Sequence, residues 1–324
     1  MLIVEPKAEL MQKPKNAAER ALHVEQCGRV CYKSEARITD GSDETFIANL
    51  IKRGHEAMIE HARVTLHFEN DSCARFIHRK MNLSGQHDYL TFTHAPIGYY
   101  VSGNMRAWRA FIRFANKVEI PLNYDMAKFI VDNRVFFPDF SISHSLEFNA
   151  MQGVNLEIDP WKLDDVEDRK AHTWYSIRFT CDRGVSHEIV RHRPASYAQE
   201  STRYCNYSKD QFGGEITVIQ PPFFAPDSLP YKHWKQGIQA AEAAYFDLLN
   251  DGCTPQEART VLPNSLKTEI IMTATAAEWL HFIELRVDSH AHPQMREVAT
   301  QAADKLAQVD PAVFAETVER VKRQ

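Results

Sequence analysis

Apolar residues recur at helical spacing over residues 17–32, where Ala17, Ala21, Val24, Cys27 and Cys31 fall on one face. A second helix is predicted over 44–53, ended by Gly54. From Ala62 the period shortens to two: Val64, Leu66 and Phe68 alternate with other residues, which predicts a strand over 62–68. Tyr175, Ile177 and Phe179 repeat that alternation in a strand over 174–180, which runs through Asp182-Arg183-Gly184 into a short helix over 185–190. The C-terminal part reads as mainly helical, over 230–250, 255–261, 276–286 and 290–307, with a strand-like stretch over 268–273. The reading is an α+β fold: a central mixed or antiparallel sheet flanked by helices, with a helical C-terminal half.

Between the two alternating strands lies a segment of different character, about residues 69–172. It predicts helices over 105–116 and 124–136, and it ends in an acidic loop through Asp159-Pro160-Trp161 and Asp164 to Asp168. We read residues 1–324 as a single domain carrying this segment as an insertion. One internal echo stands out. Gly103-Asn104-Met105-Arg106-Ala107-Trp108 and on to Ile112 resembles Thr275-Ala276-Ala277-Glu278-Trp279 and on to Ile283. Both place Trp, Phe and Ile at helical spacing after a strand-like run. A repeat and a coincidence of two amphipathic helices are both open at this point.

Composition narrows the class. An apolar content of 44% with 25% charged residues is that of a soluble globular chain, and the net charge of −5 gives no bulk attraction for polyanions. An anion site must therefore come from local clustering. No run approaches the roughly 18 apolar residues of a membrane span. Met1 to Pro6 has neither the basic flank nor the apolar core of a signal peptide. The six cysteines, at 27, 31, 73, 181, 205 and 253, form no CxxC pair and no zinc-spaced set. Reduced thiols in a cytoplasmic protein are the expectation.

The chemistry concentrates in Arg191-His192-Arg193-Pro194-Ala195-Ser196-Tyr197-Ala198-Gln199-Glu200-Ser201-Thr202-Arg203-Tyr204. Arginine forks suit phosphate oxygens and the edges of pyrimidines, and Ser201 and Thr202 add neutral hydroxyl donors. Pro194 breaks a helix, so a loop is expected after it, able to aim several groups at one anion. The competing reading of the same residues is a solvated surface of ion pairs.

Arg-His-Arg, seven residues and then Ser resembles the signature of the flavin-dependent thymidylate synthases, here Arg191, His192, Arg193 and Ser201. The likeness continues in order: Gly28-Arg29-Val30-Cys31-Tyr32, then Gly54-His55 to Glu60-His61, then Glu257-Ala258-Arg259 to Leu262-Pro263, then Leu285-Arg286 to His290-Ala291. The resemblance covers about two thirds of the chain. It implies reductive methylation of dUMP to dTMP, with the methylene from 5,10-methylenetetrahydrofolate and hydride from FAD reduced by NADPH. It implies dUMP contacts at Glu188, Arg191, Gln199, Glu200, Ser201, Thr202, Arg203, Arg259 and Arg286. It implies flavin contacts at His55, Arg191, His192, Arg193, Gln199, His281 and His290, with Glu60 and His61 shaping that pocket. It further implies a cytoplasmic homotetramer with shared active sites, with neither a nucleic-acid nor a membrane partner.

Arg286 resembles the arginine beside uracil N3 and O4, and is the candidate catalytic residue. A fixed guanidinium favours negative charge on the ring, which makes C5 nucleophilic without a protein nucleophile. Ser201 has no adjacent general base in the sequence and reads as a ligand contact. His290 and His292 lie two apart on a predicted helix and point to different sides, so no metal site is expected. The rival function is a non-catalytic nucleotide or RNA binder using the Arg-His-Arg loop for phosphate alone. Two departures from the family pattern stand out: the length of the 69–172 segment, and Thr275-Ala276-Ala277 where many relatives carry Asn-x-Arg. Asn104-Met105-Arg106 holds that triplet instead, which makes Arg106 a further candidate flavin contact.

Overall fold

The computed structural model describes residues 1–68, 90–117, 124–140, 157–209 and 212–323. Its strands are β1 (Leu2–Val4), β2 (Lys7–Leu10), β3 (Arg63–Phe68), β4 (Leu90–His94), β5 (Tyr99–Asn104), β6 (Glu157–Ile158), β7 (Trp174–Asp182), β8 (Ser196–Gln199), β9 (Thr217–Ile219) and β10 (Lys267–Thr275). They form two four-stranded sheets, β2-β7-β10-β8 and β4-β5-β3-β6, and a parallel pair, β1-β9. The α+β class expected from the sequence is what the structure has. Apart from the β1-β9 pair, the strands are divided between two antiparallel sheets, because β3 pairs with β5 and β6, and β7 with β2 and β10, and not with each other.

The first sheet carries the C-terminal helices. β7 and β10 pair over their whole length, from Lys267 opposite Asp182 to Thr275 opposite Trp174. Ile177, Phe179, Ile270 and Met272 on these strands are fully buried with Trp279, Phe282 and Ile283 of the Ala276–Arg286 helix. The Pro293–Val309 and Pro311–Lys322 helices close this core through Met295, Val298, Leu306 and Phe314. Removing an indole such as Trp279 from such packing costs about 3–5 kcal/mol.

The second sheet has its own core, where Leu66, Val101, Trp108, Phe111 and Phe129 meet Ile47 and Leu50 of the Ser42–Lys52 helix. The described parts of 69–172 therefore contribute strands and packed helices, with the Met105–Lys117 helix close to its predicted span. The span predicted as one helix over 124–136 is two pieces, Tyr124–Asp132 and a 3-10 turn at Arg134–Phe136. Asn133 separates them: its side chain donates to Phe129 O at 3.0 Å and accepts from Arg20 Nη2 at 2.8 Å. Thr65 is buried although the alternation put it outward, because the second face of β3 is also covered.

Two further differences concern helix starts and ends. The helix predicted from residue 290 begins at Pro293, whose fixed φ suits a first helical position, so His290 and His292 precede it. The Pro311–Lys322 helix had no sequence expectation. Among the described residues no helix is long and apolar enough to cross a membrane.

Candidate active site

The Arg183–Ile189 helix is placed by its own cap. Asp182 Oδ1 accepts from Val185 N at 2.7 Å, and Asp182 Oδ2 accepts from Gln294 Nε2 at 2.9 Å. That helix presents Glu188 to Arg286 at the end of the Ala276–Arg286 helix, and Ser186 to Gln199 of β8. Arg286 Nη1 donates to Glu188 Oε2 at 2.9 Å, and Arg286 Nε donates to His192 Nε2 at 3.2 Å. His192 Nδ1 lies 2.9 Å from Ile189 O, a pure acceptor, so Nδ1 carries the proton and Nε2 is left to accept. Burial lowers the His192 pKa and the nearby Arg286 charge lowers it further, against the pull of the Ile189 carbonyl, which favours this neutral form. The ring packs edge-on against Phe282 at 4.8 Å and against His281 at 6.4 Å.

The segment after Pro194 was expected to be a loop. It enters the sheet as β8, with Ser196 opposite Thr273 and Gln199 opposite Ile270. Tyr197 OH donates to His192 O at 2.6 Å, tying the strand to the turn before it. Gln199 Nε2 donates to Ser186 Oγ at 2.8 Å. Glu200 is buried and accepts from Lys267 Nζ at 2.9 Å; Lys267 also holds Glu269 at 2.6 Å. Desolvation would raise the Glu269 pKa, but Lys267 and Lys33 overcome it and hold the carboxyl down at about 2. This charged cluster, completed by Arg178 on Glu269, pins the start of the next loop.

That loop holds the hydroxyls. Ser201 N donates to Cys31 O at 3.0 Å, and Ser201 Oγ accepts from Arg203 N at 3.4 Å. Arg259 Nη1 donates to Thr202 Oγ1 at 3.4 Å, and Arg203 Nε donates to Gln256 Oε1 at 2.9 Å. Arg191, Arg193 and Arg203 are exposed, and none of the three has an ion-pair partner among the described residues. The surface thus offers unneutralised guanidiniums at both ends of a rigid strand, an arrangement suited to anions. Exposed guanidiniums without carboxylate partners also fit the diphosphate of a flavin dinucleotide.

The structure thus brings Glu188, His192, His281 and Arg286 together, and groups Thr202 with Arg203 and Arg259. Gln199 and Ser186 lie between the two groups. His55 is exposed at the rim of a cleft of about 850 Å³ that reaches Arg53, Tyr32 and Tyr204. Arg106 pairs with Glu60 at 2.6 Å, and Glu60 in turn accepts from Ser196 Oγ at 3.1 Å. His61 is buried, bonded through Nδ1 to Thr273 Oγ1 at 2.7 Å. His290 stands apart, 93% exposed and bonded to Asp288. The reading of the sequence missed Ser186, Tyr197 and Lys267. Their only local signal is proximity in sequence to residues already singled out, since their partners come from other elements.

Residues 10–85 and 170–312 match the model of the family described as thymidylate synthase complementing protein. An α+β chain with arginines and hydroxyls converging on one sheet edge is the class that the fold and site define. The chain belongs to the thymidylate synthase complementing protein family. It is 35% identical over 130 residues to a flavin-dependent thymidylate synthase of Pyrococcus furiosus, covering 40% of this chain and 52% of that one. The corresponding protein of Geobacter sulfurreducens is 35% identical over 132 residues, 41% of this chain and 55% of its own. That of Mycobacterium tuberculosis is 34% identical over 149 residues, 41% and 57%. The chain spans about half the length of the curated relatives it matches. Residues 86–169 lie outside the family match.

Proposed function

We propose that this protein converts dUMP to dTMP as a flavin-dependent thymidylate synthase, with FAD as cofactor and NADPH and 5,10-methylenetetrahydrofolate as co-substrates. The observation that carries the reading is the Arg286 fork, held by Glu188 and by neutral His192, with Arg191 and Arg193 exposed and without an ion-pair partner among the described residues. Family membership supplies the reaction class.

In this reading Ser201, Thr202, Arg203 and Arg259 take the phosphate of dUMP, with Arg191 and Gln199 towards the nucleoside. Arg286 faces the uracil edge. A guanidinium fixed before the reaction stabilises negative charge on the ring as it forms, and so raises the reactivity of C5. Glu188 positions that guanidinium. Glu200, buried against Lys267, holds the loop and does not touch the ligand through its carboxylate. Arg191, Arg193 and Arg106 would hold the flavin diphosphate, with His55, His192 and His281 near the rest of the cofactor; His290 stands apart from them. The flavin, when bound, supplies the hydride.

Neither Cys31 nor Cys205 is required as a nucleophile. Burial pushes the Cys31 thiol up to about 11 and the Cys205 thiol up to about 12, so neither is a thiolate at neutral pH. The test is direct: purified protein should be yellow and should bleach with NADPH in the absence of oxygen. A colourless protein that binds RNA with steep salt dependence would replace this reading with that of a nucleic-acid binder.

A further inference from the structure

The sheet β4-β5-β3-β6 repeats the sheet β8-β10-β7-β2 strand for strand, with every neighbouring pair antiparallel. The correspondence reaches single atoms. Asn104 ends β5 opposite Arg63, and Thr275 ends β10 opposite Trp174. Each caps the helix that follows. The Asn104 side chain accepts from Ala107 N at 2.8 Å, and Thr275 Oγ1 accepts from Glu278 N at 3.4 Å. The first helical amides bond back in the same way, Met105 N to Ala62 O at 2.8 Å and Ala276 N to Thr173 O at 3.1 Å. One turn later the Trp108 indole donates to Val64 O at 3.4 Å, and the Trp279 indole to Tyr175 O at 3.0 Å. Apolar periodicity alone would give two amphipathic helices. It would not give matching register, cap, amide bond and indole bond.

The two units also face each other reciprocally. His61, just before β3, bonds Thr273 of β10 at 2.7 Å; His172, just before β7, bonds Ser102 of β5 at 2.8 Å. In the correspondence above, His61 matches His172 and Ser102 matches Thr273. All four side chains are buried. A contact mirrored in this way is the mark of an isologous interface, ordinarily formed between two identical subunits.

The symmetry is broken at the candidate site. Glu60 and Arg106 of the first unit correspond to Ala171 and Ala277 of the second. Their ion pair is laid against Ser196, the first residue of β8, within the Arg193 to Ser201 segment of the second unit. Arg106 remains 54% exposed, and its Nε and Nη2 carry no partner among the described residues.

We propose that the chain is a covalent pseudo-dimer whose N-terminal unit is the built-in partner of the C-terminal one, adding Glu60 and Arg106 to a single composite site per chain for a diphosphate-bearing ligand. The ligand's identity as FAD rests on the function proposed above; the composite site does not.

The test uses two full-length variants with different tags, Arg106→Ala and Arg191→Ala, co-expressed and purified through both tags. Wild type should hold one FAD per chain. Each variant should unfold at the wild-type temperature yet bind FAD at least tenfold more weakly. Mixed assemblies should bind no better than either variant alone, because every chain carries a damaged half of its own site. If no mixed assembly forms and Arg106→Ala still binds FAD poorly, the site is likewise internal to one chain. Wild-type affinity in Arg106→Ala, or recovery of FAD binding in the mixed assemblies, overturns the proposal. Inorganic pyrophosphate, read by thermal shift, separates the two readings. A wild-type chain that ignores FAD but is stabilised by pyrophosphate, with the effect lost in Arg106→Ala, removes the flavin and keeps the composite site. A chain that ignores both removes both.

Discussion

Arg286 Nη1 donates to the Glu188 carboxylate at 2.9 Å, while Nε of the same fork donates to His192. The two contacts fix the plane of the guanidinium from different directions. A lysine ammonium at this position is a point charge on a flexible stem and cannot hold both partners in that plane. Arg286→Lys should therefore keep dUMP affinity within a few-fold and lose most turnover. Isothermal titration beside a turnover assay checks this, and turnover close to wild type would remove Arg286 from the chemistry.

Ser201 accepts from the Arg203 amide at 3.4 Å, and no general base adjoins it among the described residues. Ser201→Ala should weaken dUMP binding by about 1–3 kcal/mol, the cost of leaving one buried polar group without its hydrogen bond. Measurable methylation should persist at saturating dUMP. A trapped covalent Ser201 adduct, or complete inactivity at unchanged affinity, would contradict this.

The double variant Cys31→Ala, Cys205→Ala should retain turnover if folded, since burial keeps both thiols protonated. Cys31 O also accepts from Ser201 N, a backbone contact that the substitution leaves in place. Loss of turnover in a folded, flavin-loaded double variant would restore a cysteine mechanism.

Three buried histidines give a pH dependence of stability. Burial depresses His23 to about 4, His61 to about 3 and His172 to about 4, with His23 adding to the effect on His61 and Arg63 to that on His172. Below the ordinary value of 6.5 the unfolded chain takes up protons that the folded chain refuses. Stability should be full above that pH and fall as the pH drops towards 4. Each imidazole contributes a slope of about 1.4 kcal/mol per pH unit. Urea unfolding at pH 7.5, 6 and 5 measures it, and His61→Gln should have a shallower slope than wild type. A flat profile over that range would show that these rings are not held neutral.

Much of this was legible in the chain. The alternation at Val64, Leu66 and Phe68 and at Tyr175, Ile177 and Phe179 marks β3 and β7, because strand periodicity is local. The 191–203 cluster was visible because arginines and hydroxyls are dense there. What escaped depends on partners distant in sequence. β8 follows a proline and is too short to show a period, and becomes a strand through β10. Lys267 looks like any strand-start lysine until the fold sets it between Glu200 and Glu269. The echo between residues 103–112 and 275–283 could not be told from coincidence in one dimension, since its evidence is hydrogen bonds to Val64 and Tyr175.

Tritium release from C5-labelled dUMP by the purified protein tests the chemistry proposed for Arg286 at the reacting carbon. With FAD, NADPH and 5,10-methylenetetrahydrofolate all present, tritium should be released in step with formation of dTMP, and most of both should be lost in Arg286→Lys. No release from a folded, flavin-loaded protein, or release that is unchanged when Arg286 is replaced, would contradict it.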